Sequence, residues 1–123
     1  MRNHKDLDVW NEAIEMSRLV YQLTSGFPQS EQFGLVSQMR RASVSVASNI
    51  AEGAARQGAK EFLKFLSIAA GSASELDTQL EISKRVEMGD TSGLERVQEA
   101  VNKVSKMLQG LMRSIRSKSQ TNH

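Results

Sequence analysis

The sequence predicts an all-α fold, an antiparallel up-down four-helix bundle with long helices. Three observations carry that expectation. Four stretches have apolar residues recurring at three- and four-residue intervals, and the chain holds one proline in 123 residues. The turns between the stretches are short, which forces neighbouring helices to fold back on one another. A single domain spanning 1–123 follows, with helices at 7–24, 30–57, 60–88 and 92–117 and a tail over 118–123 that should fray.

The first stretch places Val9, Ala13, Met16, Val20 and Leu23 on one face, widened by Trp10, Ile14 and Tyr21. Asp6 or Asp8 can cap its start, and the run from Thr24 to Pro28 ends it because proline restricts the residue before it and lacks a donor. In the second stretch Val36, Met39, Val46 and Ile50 turn inward, with Gly58 as the expected C-cap. The third aligns Phe62, Leu66, Ala69, Ala73, Leu76 and Leu80 and stops at Gly89-Asp90. The fourth repeats Leu94, Val97, Val101, Val104, Leu108, Leu111 and Ile115 over three heptads, with Ser92 and Glu95 spaced as a capping box.

The second helix carries more apolar surface than one core requires. At about 100° per residue, Val44, Ala47, Ala51 and Ala55 lie well round from the Met39/Val46/Ile50 stripe. Their small side chains let another backbone come close, so they are candidates for a subunit interface. The competing explanation is that alanine is simply a good helix former on a solvated face.

A polar strip borders the core face of the same helix. Gln38, Arg41, Ser45, Asn49, Glu52 and Arg56 follow one another at three- and four-residue steps. If the second and third helices fold back about residues 57–60, partners have numbers summing to about 117. That pairs Arg41 with Glu75, Ser45 with Ser72 and Arg56 with Glu61, a register-setting seam of partly buried charges, each costly to leave alone. The catalytic alternative makes Glu52 or Glu75 a general acid or base; the structural role is favoured.

Composition excludes several classes. Without cysteine there is no disulfide, thiol nucleophile or Cys-ligated zinc. A di-iron bundle needs glutamates and Glu-x-x-His pairs converging inside, whereas the two histidines are His4 and His123, one near each end. No phosphate-binding glycine loop, nucleophile elbow or Asp-x-Asp cluster is present. No catalytic residue, metal or cofactor is therefore expected, and the chain is not read as an enzyme. The apolar runs are too short for a membrane span or a signal peptide, which makes the cytoplasm the expected location.

Charge is distributed unevenly. Between Leu94 and Lys118, Arg96, Lys103, Lys106, Arg113, Arg116 and Lys118 stand against Glu95 and Glu99, a net +4, whereas residues 1–25 and 58–90 are net acidic. Arg96, Lys103, Lys106 and Arg113 fall within an arc of roughly 100° off the heptad seam. Such a row can track a phosphate backbone and release its counterions; an ordinary solvated face is the alternative. No aromatic residue lies in this stretch, so base stacking is not offered.

The blocks Asp6-Leu7-Asp8-Val9-Trp10, Phe27-Pro28, Phe33-Gly34-Leu35, Arg40-Arg41-Ala42, Asn49-Ile50-Ala51-Glu52-Gly53, Glu61-Phe62, Phe65-Leu66, Ile68-Ala69 and Gly71-Ser72 resemble, in order and separation, the 23S rRNA intervening-sequence protein family. The accessory protein of diversity-generating retroelements shares that family's fold. The resemblance covers roughly residues 5 to 90 and implies a small bacterial four-helix bundle assembling as a ring-like homopentamer. It also implies contact with nucleic acid, RNA or DNA, or with a protein such as a polymerase or reverse transcriptase. It assigns no catalytic residue. A serine common in the family ahead of the Lys-Glu-Phe block is Gly58 here, which removes a side-chain N-cap from the third helix.

Overall fold

The structure is a computed structural model that describes residues 3–121. After a 3-10 turn at His4–Asp6 come α1 (Asp8–Thr24), a 3-10 turn at Gln29–Glu31, a π-helical turn at Gln32–Val36, α2 (Ser37–Ala55), α3 (Ala59–Arg85) and α4 (Thr91–Thr121). Among the described residues these helices form a four-helix bundle without strands. Each packs against its sequence neighbours, and α4 closes onto α1.

Contacts between side chains set the register of three of these pairs. Arg41 meets Glu75 and Ser45 meets Ser72 across α2 and α3. Gln98 donates to Asp77, and the Ser67 hydroxyl lies 3.9 Å from the Met112 sulfur, across α3 and α4. Lys103 reaches Glu12 across α4 and α1. In the two pairs where two contacts are given, numbers rise along one helix as they fall along the other, so those pairs are antiparallel.

The core is built from the stripes that periodicity selects. Met16, Met39, Ile50, Leu66, Leu76, Leu80 and Leu108 are all fully buried. The fourth helix departs from the expected seam near its end: Met112 is buried, while Leu111 and Ile115 are only partly so. A strict seven-residue repeat drifts by about 20° per heptad on an α-helix, and a four-residue step from Leu108 to Met112 corrects the drift.

Most element ends differ from expectation, each for a local reason. Leu7, not an aspartate, precedes α1 and gives no side-chain cap; Asn11 instead donates to the Lys5 and Leu7 carbonyls. The helix expected from 30 begins at Ser37, because Gly34 leaves helical geometry (φ −106°, ψ −113°) and the Glu31 carboxylate accepts the Leu35 N–H. Arg56, in extended geometry, ends α2. Gly58 is not that helix's C-cap but the N-cap of α3, at φ 90° and with no capping side chain. The third helix stops at Arg85, short of Met88. There Glu87 takes φ 60°, and Glu87 and Met88 donate back to the Lys84 and Ser83 carbonyls, the hydrogen-bond pattern of a Schellman turn. Asp90, not Ser92, caps α4 by accepting the Gly93 N–H at 2.9 Å. The tail expected to fray is helical as far as Thr121; residues 122–123, His123 included, lie outside the described residues.

Candidate nucleic-acid interface

The polar seam of α2 sits where its spacing placed it, with one exception. Arg41 donates to Glu75 at 2.5 Å and to Gln38 at 2.7 Å. The Ser45 and Ser72 hydroxyls are 2.8 Å apart, and Asn49 donates back to the Ser45 carbonyl and hydroxyl. Arg56 does not reach Glu61. It pairs with Glu52 one turn back at 3.5 Å and lies over the Phe65 ring at 5.1 Å. The register argument fails there because the chain has already left helical geometry at Arg56. The charges are also not buried, since the Arg41 and Glu75 side chains retain 57% and 39% exposure. Exposed pairs of this kind contribute about 0–1 kcal/mol, so the seam sets register without costly buried charge.

On α4 the structure divides the predicted basic row. Lys103 forms an ion pair with Glu12 at 2.9 Å, and Arg96 donates to Ser92 at 3.0 Å, flanked by exposed Glu95 and Glu99. Lys106, Arg113 and Arg116 are exposed and have no ion pair or side-chain hydrogen bond among the described residues. Lys118 is exposed but engaged. The charge available to a polyanion therefore lies in the C-terminal half of α4. Elsewhere Arg18 holds Glu15 at 2.6 Å, and that hydrogen bond keeps the Glu15 carboxyl below its ordinary range.

The candidate interface on α2 is also divided. Ala47 is buried in the chain's own core, Ala51 is half-buried, and Val44 and Ala55 are exposed. Ala47 belongs to the core because α1 packs on that side, and α1 extends the apolar face. The Arg40 guanidinium covers the Tyr21 ring at 4.5 Å and donates to Thr24 at 2.9 Å. Ile14, Tyr21 and Val44 keep 43–44% exposure on this side of the bundle.

Sequence reading missed two features. Phe33 is 90% exposed, held on the π-helical turn before α2; the non-helical geometry of Gly34 that aims it has no periodic signature. Gln79 is buried, donating to Glu75 while its carbonyl oxygen finds no partner. Its place three residues after Leu76 on the core stripe was a readable signal. No group of three or more potential metal ligands occurs among the described residues, and none of their helices is long and apolar enough to cross a membrane.

A family model, the 23S rRNA-intervening sequence protein, matches residues 5–110. Among solved structures, one from Bacteroides thetaiotaomicron VPI-5482, described as a protein with unknown function from the S23 ribosomal protein family, superposes with a TM-score of 0.75. It is 24% identical, and the match covers 85% of this chain and 97% of that one, which establishes a shared fold. No curated protein matches the chain.

Proposed function

The chain belongs to the 23S rRNA-intervening sequence protein family, and from that premise we propose that it is a non-enzymatic, cytoplasmic homo-oligomer that binds structured nucleic acid, RNA in preference, through basic helix faces. The observation that carries this reading is the set of cations at Lys106, Arg113 and Arg116, on the outer side of α4 and unpaired among the described residues. Cations held on a rigid helix gain affinity for phosphates by displacing counterions. Oligomerisation, with five subunits expected from the family resemblance, would multiply these rows. Exposed Ile14, Tyr21 and Val44 beside Ala51 supply an apolar face for that assembly.

The test is binding of an RNA hairpin and a DNA duplex across a salt series, alongside sedimentation of the purified protein. Binding that weakens with salt, and weakens further when Lys106 and Arg113 become Ala, is expected. A salt-independent signal or no binding at low salt contradicts the reading. A Val44→Glu variant should sediment as a smaller species than the wild type.

A second reading, a scaffold that docks a protein such as a polymerase or reverse transcriptase, is favoured by Phe33, whose exposed ring suits a partner's pocket. Retention of one protein after nuclease treatment, lost in Phe33→Ala, would support it.

A further inference from the structure

The fold accounts for some glycines of this protein and leaves others open. Gly53 and Gly89 have no room for a side chain, and Gly58 and Gly89 hold positive φ. Gly110, in the interior of α4, has neither reason. Its φ is not positive. Beyond its chain neighbours and the backbone of its own helical turns, a β-carbon there would meet no atom within 4 Å. Glycine weakens a helix interior more than any residue except proline, so α4 carries a cost that packing within the chain does not require. Glycine is also the residue that lets a ligand come close to a backbone.

The side chains one turn away give this opening its character. Lys106 lies four residues before Gly110 and Arg113 three after, the spacing of neighbours on a helix surface. At about 100° per residue, Lys106 and Arg113 stand within about 20° of one line, with Gly110 about 40–60° to its side. The two cations are about 10 Å apart along the axis, and Gly110 lies between their levels. Both are exposed and have no ion pair or side-chain hydrogen bond among the described residues. The remaining neighbours are Met107 and Ser114, and α4 carries no Asp or Glu from Ala100 to Thr121.

Gly71 on α3 provides the comparison within the molecule. It is exposed, and a β-carbon there would also meet no atom within 4 Å. Its neighbours one turn away are Ser67, Ile68, Ser74 and Glu75, none of them a cation. An open glycine therefore marks no ligand by itself. At Gly110 the opening coincides with two unengaged cations on one rigid helix.

Resting on the nucleic-acid reading above, we infer that Gly110 is the seat on α4 for the phosphate backbone of a nucleic acid, between Lys106 and Arg113. The amide groups of a helix interior are spent on the helix, so the glycine contributes closeness and no hydrogen bond. With no side chain in the way, one phosphate group comes down toward the helix. The Lys106 ammonium reaches it from one turn and the Arg113 guanidinium from the other. A side chain at 110 would hold the phosphate off and keep the two cations from sharing it. A protein backbone laid against the same glycine would instead bury both charges without partners, which is costly.

The experiment measures binding of an RNA hairpin and of poly-glutamate over a potassium chloride series, with thermal unfolding and sedimentation of each protein. The proteins are wild type, Gly110→Ala, Gly110→Leu, Gly71→Leu and the Lys106→Ala/Arg113→Ala double variant. Replacing either open glycine should raise the melting temperature by about 2–6 °C, so lost binding cannot be lost folding. Gly110→Leu should weaken hairpin binding by roughly threefold to tenfold and lower the slope of log K against log salt by about 0.7–0.9, the share of one phosphate contact. Gly110→Ala should move the same way by less, and Gly71→Leu should bind as wild type does. Wild-type affinity and slope in Gly110→Leu overturn the inference; if the Lys106/Arg113 variant has then lost affinity, the nucleic-acid reading survives without it. An equal loss in Gly71→Leu overturns it too. So does altered sedimentation of Gly110→Leu, which assigns the opening to a subunit contact. Poly-glutamate bound as tightly as the hairpin, and equally weakened by Gly110→Leu, overturns the phosphate assignment in favour of an acidic protein. Absence of hairpin binding by the wild type at low salt removes both readings.

Discussion

Gly53 on α2 packs so closely against Phe65 on α3 that a β-carbon at Gly53 would lie 2.9 Å from the Phe65 β-carbon. It would also lie 3.0 Å from Phe62 Cδ1 and 3.3 Å from the Phe62 carbonyl oxygen. The last turn of α2 therefore lies almost on the backbone of α3, and that closeness lets the chain reverse over Arg56 to Gly58.

Gly53→Ala tests this relationship because two effects oppose. Helix propensity favours alanine by about 1 kcal/mol, whereas overpacking against groups fixed to a backbone costs about 1–3 kcal/mol. The clash should win because the atoms met are a β-carbon and a carbonyl rather than a flexible tip. Thermal and urea unfolding should show a net loss of roughly 1 kcal/mol; a variant more stable than wild type would mean that the helices can separate without cost.

Glu87 and Gly89 should respond in opposite directions. Glu87 occupies φ 60°, a left-handed conformation costing a non-glycine residue about 1 kcal/mol. Glu87→Gly should then stabilise by about 0.5 kcal/mol at most, after the entropy that glycine adds to the unfolded chain. Gly89 sits at φ 84°, and a β-carbon there would lie 2.8 Å from the Phe27 ring and 3.0 Å from Leu23. Gly89→Ala should lower the urea midpoint by the equivalent of about 2 kcal/mol or more.

On α4, adjacent truncations should separate the observed seam from the expected one. Met112 is 3% exposed and Leu111 only partly buried. Met112→Ala should cost about 2–5 kcal/mol as a core cavity, and Leu111→Ala clearly less. Equal losses in chemical denaturation would show that the strict heptad continues past Leu108.

Breaking the Arg41 to Glu75 pair should matter little. Both side chains are more than a third exposed, so Arg41→Ala should cost under about 1 kcal/mol. The remaining effect should shrink further in 1 M salt, where the screening length falls to about 3 Å. A loss of several kcal/mol would restore the buried-charge reading of this seam.

The polar seam shows how far one chain could be read. Ser45 and Ser72 meet, as do Arg41 and Glu75, because each pair lies on continuous helices leaving one turn, and helical geometry carries register over such distances. Arg56 and Glu61 do not meet, because the same counting breaks where Arg56 turns extended. Helix ends were legible only approximately. Asp90 rather than Ser92 caps α4, and Gly34 rather than Ser30 decides where α2 begins, since each end depends on which local hydrogen bond wins.

Apolar spacing by itself determined the number of helices and the stripes that form the core, because burial of a periodic face is a property of the sequence; the pairing of α2 with α3 came from the polar strip counted about one turn. Which cations remain available was decided by the tertiary structure alone. Lys103 and Lys106 look alike on a helical wheel, yet packing α1 beside α4 brings Glu12 to Lys103 and, among the described residues, no such partner to Lys106. Charge pairing is a matter of distance in space, and nothing in the order of residues states which distant side chains the fold will bring within a few ångströms.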